Sequence, residues 1–143
     1  MSSALPALGE REQEAIRDVF SGLARDVPLQ LVLGPEEAPV TVIVAGRDID
    51  FGAETRSLLE QVTELSDRVT LTVAETGERG RWPEITIGDG LRYHGLPWGY
   101  ELSTVIGAIA EAGKQESSLS DDSLAALATL RRPVEIEVYV TPT

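Results

Sequence analysis

Glu84-Ile85-Thr86-Ile87-Gly88-Asp89-Gly90-Leu91-Arg92-Tyr93-His94 is the stretch whose reading decides the fold. Two short runs flank a Gly-Asp-Gly centre, the pattern of a β-hairpin with a glycine-containing turn. Gly95-Leu96-Pro97-Trp98-Gly99 then leads into a helix. Its stripe is Leu102, Val105, Ile106 and Ile109, and Gly113 is a C-cap. Ahead of the hairpin, Pro39 opens Val40-Thr41-Val42-Ile43-Val44-Ala45. That run is apolar on both faces, which predicts a central strand covered by helices on each side. After a polar loop from Gly46 to Gly52, the stretch from Ala53 to Leu65 predicts a helix, with Leu58, Leu59, Val62 and Leu65 on one face. Val69-Thr70-Leu71-Thr72-Val73 alternates with period two and predicts a half-buried strand. The segment from Val40 to Val73 is thus a strand–helix–strand unit whose crossover suits a parallel pair. A strand–helix–strand half followed by a hairpin–helix half predicts an α/β fold, a mixed sheet with helices on both faces.

Further out, the segment from Glu10 to Ala24 predicts a helix with Ile16, Val19, Phe20 and Leu23 on one stripe. Acidic residues crowd its first turns, where the helix dipole favours them. Leu29 to Leu33 predicts a short strand, closed by Gly34-Pro35. On the other side, Lys114 to Ser118 is a polar connector. Ser120 predicts an N-cap, Asp121 and Asp122 the first turn, and Leu124 and Leu127 a short helix. Val134-Glu135-Ile136-Glu137-Val138-Tyr139-Val140 alternates cleanly and predicts a last strand with no partner after it. Residues 1–113 are therefore expected to form one domain. Residues 114–143 are expected to be a connector, a helix and the first strand of another.

Composition narrows the function. The 143 residues carry 24 acidic and 12 basic side chains, a formal charge of -12, so nucleic acid and anionic membrane surfaces are poor partners. At 42% apolar and 25% charged the chain sits near the globular average. There is no cysteine, which excludes disulfides, thiolate zinc sites and thiol catalysis by these residues. No apolar run approaches the roughly 20 residues of a membrane helix. The start has neither a basic region nor a long apolar stretch, so the expected compartment is the cytoplasm.

The candidate chemistry is sparse, and no cofactor is expected. Gly88-Asp89-Gly90 lacks the third glycine of a dinucleotide loop and sits in a hairpin, not before a helix. His94 is the only histidine; it could move a proton, or simply pack at a strand end beside Tyr93. Asp48, Asp50 and Glu54 could offer oxygens to a divalent cation, but residues at a loop–helix junction more often cap the helix. Trp82 and Trp98 flank the hairpin and could line a groove for a partner. An aromatic residue before proline favours the cis isomer, which makes Pro83 a candidate cis-proline.

The layout is thioredoxin-like, and the segment from Leu91 to Glu101 together with that from Pro133 to Thr143 resembles the protein disulfide oxidoreductases, or glutaredoxin-like proteins. These are built from two tandem thioredoxin folds. The N-terminal domain of the alkyl hydroperoxide reductase flavoprotein is similar at greater distance. The resemblance implies that the first segment closes the first fold and that the Val-Thr-Pro-Thr ending opens the second. It also implies that Pro83 matches the family's cis-proline, with Trp82 and Trp98 around the same groove. Ile49 and Gly52 stand where the first fold's two redox cysteines would be, so no catalytic residue carries over. In the family, Thr-Pro-Thr continues into Cys-x-x-Cys. A selenocysteine codon directly after Thr143 is therefore expected, with thiol–disulfide exchange in the second fold; a selenol ionises more readily than a thiol and would serve as the nucleophile.

The implied partner is that second fold. A homodimer through Val134 to Val140 is a further expectation, because an unpaired strand exposes an edge. The rival readings are a stand-alone binding module built on Trp82, Pro83 and Trp98, and a non-redox enzyme built on His94 and the acidic loop.

Overall fold

The structure is a computed structural model that describes residues 5–35 and 49–140. The strand expected at residues 40–45, the candidate ligand Asp48 and the closing residues 141–143 lie outside the described residues.

The first helix, α1 (Glu10–Phe20), begins after Gly9, whose amide donates to Glu12 Oε2 at 2.8 Å. Ile16 and Phe20 are buried, while Val19, expected on the same stripe, is 43% exposed. The chain then enters β1 (Val27–Leu33), two residues earlier than expected. After the connection comes α2 (Phe51–Thr63), capped by Asp50, whose Oδ1 accepts the Ala53 amide at 3.0 Å. The strand β2 (Val69–Glu75) follows, then β3 (Glu84–Ile87) and β4 (Leu91–His94), and then α3 (Tyr100–Ala112).

These strands form one mixed sheet in the order β2-β1-β3-β4. β1 runs parallel to β2, with Leu29 beside Leu71, and antiparallel to β3, with Leu29 beside Ile87. β3 and β4 form the expected hairpin, Ile85 beside Tyr93, with Gly88 at a φ of 58° that favours glycine. The strand–helix–strand half therefore exists, but its first strand is residues 27–33 and not residues 40–45. A central strand needs a partner on each side. Val27–Leu33 has both, so it does not depend on a doubly apolar run: its buried residues simply alternate.

Val27, Leu29 and Leu31 on β1 and Ile85 and Ile87 on β3 are buried, as are Leu59 and Val62 of α2 and Val105 and Ile109 of α3. Period two on the strands and period three or four on the helices thus converge on one core. The alternate β1 residues, Pro28 and Gln30, are exposed, so that face of the sheet is the less covered one. Gly113 caps α3 with a φ of -89°, so handedness does not require glycine there. Space does: a Cβ would overlap Leu23 Cδ2 and approach Val27 Cγ2 to 3.1 Å.

Beyond the core lies α4 (Asp121–Ala128), capped by Ser120, whose Oγ accepts the Ser123 amide at 3.2 Å. It buries no residue. Residues 134–140, expected as a strand, pair with no described strand and are exposed throughout, including Ile136 at 81% and Val138 at 79%. Alternation makes a run competent for a sheet. The hydrogen-bonding partner that makes it a strand is lacking among the described residues.

Candidate functional site

The described features gather at the carboxyl end of β1. Gly34 follows that strand, and the indole of Trp82 fills the space where a Cβ on Gly34 would stand. A Cβ on Gly80 would meet the same ring at 2.8 Å. Two glycines therefore make room for one indole, and its Nε1–H donates to the Glu78 carbonyl at 2.8 Å. The next bond, Trp82–Pro83, is cis, and Pro83 is buried. The Pro83 carbonyl accepts the Gly95 amide at 2.8 Å, which ties the loop to the end of the hairpin. Gly52, in the first turn of α2, packs its Cα side near Leu33, where a Cβ would stand 3.2 Å from Leu33 Cδ2. Gly52 and Trp82 therefore approach the same strand end, with half-buried Ile49 just ahead of the Asp50 cap. In α/β sheets the carboxyl end of the central strands is where ligands and chemistry gather.

Trp98 is elsewhere. It lines a narrow crevice with Leu5, Pro6, Leu58, Gln61 and Leu96, between the start of the chain and α2. The chain start is fastened there by Leu8, whose amide donates to Gln61 Oε1 at 2.8 Å and whose carbonyl accepts from Gln13 Nε2 at 2.8 Å.

Of the acidic candidates, Asp50 caps α2, and Glu54 is a buried first-turn residue whose Oε2 accepts the Leu5 amide at 3.4 Å. Both thus contribute to helix and chain-start structure. Among the described residues, no group of three or more His, Asp or Glu side chains could hold a metal ion.

His94 sits opposite Glu84 in the hairpin register, its Nδ1 3.7 Å from Glu84 Oε2. The same nitrogen is 2.9 Å from the Arg81 carbonyl, and a carbonyl can only accept, so Nδ1 carries the proton there. The Arg81 side chain reaches residues 134–140, with Nη2 2.7 Å from Glu137 Oε1, and Tyr139 donates its hydroxyl to Glu137 Oε2 at 2.6 Å. These two bonds, the Tyr139 one first, hold the Glu137 carboxyl below the usual range, and Glu137 raises both the Tyr139 phenol and the Arg81 guanidinium. Burial, with the Glu101 charge behind it, pushes the Tyr93 phenol up. The Arg81–Glu137–Tyr139 group has no signal in sequence spacing. The His94–Glu84 pair has one, since a turn centred on Asp89 sets residues 84 and 94 opposite each other.

No protein-family model matches the chain. The fold and this strand-end arrangement define the class, a thioredoxin-like domain. The chain is 26% identical over 116 residues to the alkyl hydroperoxide reductase flavoprotein AhpF of Pseudomonas aeruginosa. That match covers 78% of this chain and 22% of the relative, so the chain spans about a fifth of that protein's length. The AhpF protein of Enterococcus faecalis superposes with a TM-score of 0.70 at 16% identity, over 87% of this chain and 62% of that one. A protein disulfide oxidoreductase of Aeropyrum pernix gives a TM-score of 0.70 at 19% identity, over 88% of this chain and 56% of that one.

Proposed function

We propose that the chain is a thioredoxin-like unit without redox chemistry of its own, serving a protein disulfide oxidoreductase of two such folds. In this reading the thiol–disulfide exchange belongs to the second fold, and this unit packs against it and shapes the surface that meets the substrate. The observation that carries the reading is a thioredoxin-like domain with no cysteine in its 143 residues. Exchange proceeds by attack of a thiolate on a disulfide sulfur, and Ile49 and Gly52 cannot form one. Two facts support the packing role. The likeness leaves a large part of each relative uncovered. The stretch from α4 to residue 140 also presents apolar side chains to solvent, among them Leu127 at 50% and Val134 at 63%.

Insulin reduction tests the first half. With dithiothreitol as donor, the chain should leave insulin reduction at the rate of the reductant alone. Turnover above that blank would overturn the reading. Addition of the isolated chain to a thioredoxin fold bearing Cys-x-x-Cys tests the second half, by the loss of solvent exposure at Leu127 and Val134 in hydrogen exchange or footprinting.

A further inference from the structure

β2 (Val69–Glu75) is an outer strand of the sheet among the described residues. Such edges are usually blunted by proline, by lysine or arginine, or by shortness. β2 has seven residues, no proline and no basic side chain, and its one charge is the terminal Glu75. Beside it, a groove of about 530 Å³ opens between the strand and α2. Leu71 and Val73 lie on the groove side and are packed on the core, yet they are only partly buried. One more strand would complete their burial and pair the outward main-chain groups.

We propose that a second copy of this chain supplies that strand, the two β2 strands pairing antiparallel about a two-fold axis at Thr72. The edge is self-complementary in that register. Leu71 of each copy falls opposite Val73 of the other, on the face covered by α2. Thr72 meets Thr72 on the opposite face, a favourable cross-strand pair. The charges also match. A crossover helix runs antiparallel to its strands, and four helix residues advance about as far as two strand residues, roughly 6 Å. Arg56 and Glu60 line the groove one helix turn apart and pair with each other at 3.0 Å, both half-exposed. The two-fold axis turns this arrangement end over end, so the Arg56 end of one groove wall faces the Glu60 end of the other. Because both copies use the same patch, the contact closes at two chains and gives one eight-stranded sheet.

Sedimentation velocity over a concentration series tests this. The 15.4 kDa chain should sediment with twice its mass. Thr72→Lys sets two ammonium groups against each other on the axis and should weaken association by roughly tenfold or more while leaving far-UV circular dichroism unchanged. Thr72→Cys adds the chain's single thiol, and a short bismaleimide should join two such chains, whereas Thr70→Cys should join poorly. A monomer throughout the series overturns the proposal. So does a dimer that Thr72→Lys leaves intact but deletion of residues 119–143 dissolves, because the contact would then lie on the C-terminal segment. If Thr72→Lys fails to fold, the cross-link decides: no covalent dimer of the Thr72→Cys chain also overturns it.

Discussion

Gly34 and Trp82 are a matched pair: one has no side chain because the other's ring fills that volume. Gly34→Ala should therefore force the indole or the end of β1 to move, a cost of roughly 1–3 kcal/mol as in other overpacked sites. Urea unfolding measures it. Removing the ring in a Gly34→Ala/Trp82→Ala double variant should cost less than the sum of the two single changes, since they meet in one contact. Neither residue's role could be read from the sequence, where Trp82 is only a tryptophan beside a proline. The contact joins residues 48 positions apart, and no local pattern encodes such a distance.

The same limit applies to Glu137, whose partner Arg81 lies 56 positions away. Its titration has a definite sign. The carboxyl is depressed in the folded chain, so its bonds contribute fully above the ordinary carboxylate range and are lost as the pH falls through the depressed value. Tyr139 is raised, so its bond contributes below the ordinary phenol range and is lost as the pH rises through the raised value. Residues 134–140 should thus be held near Arg81 across the neutral range and released at both extremes. Carboxyl and phenol chemical shifts followed through a pH titration check this, and Glu137→Gln should abolish the acid-side transition.

Among the elements, those with a strong period are the readable ones. α3 and the hairpin stand where their spacing predicts, and Ser120 caps α4 as its residue type predicts. Two others depart from their pattern for a physical reason. Residues 27–33 hold the central strand although their pattern is only half apolar, because sheet position depends on which neighbours pair. Residues 134–140 have the alternation of a strand but no described partner. Ile109, wholly buried in α3, should cost about 2–5 kcal/mol on change to alanine, measured by the urea midpoint. Ser120→Ala should cost about 1 kcal/mol locally, with faster amide exchange in α4. It should leave global unfolding unchanged, because α4 buries nothing.

At the scale of the whole molecule, burial ends where α3 ends: every residue from 121 to 140 is exposed. Deleting residues 119–143 removes helix, charge and much exposed apolar surface but no core. Stability should stay within about 0.5 kcal/mol of the full chain, while binding of an apolar dye falls. The candidate site is less readable than the fold. The emptiness of the cysteine positions is plain in the sequence, but the geometry that seats Trp82 at the strand end and Trp98 behind α2 belongs to tertiary packing alone. No helix among the described residues is long and apolar enough to cross a membrane.

Those two tryptophans are the chain's only indoles, and they sit in unlike surroundings. Trp82 is pressed between glycine backbones with its ring nitrogen engaged, while Trp98 is 37% exposed beside the chain start. The emission of the native chain should therefore have two colours: a bluer band that acrylamide hardly reaches and a redder one that it removes first. Trp98→Phe would leave a lamp at the end of β1, and its shift to the red would report the moment the loop lifts from the strand.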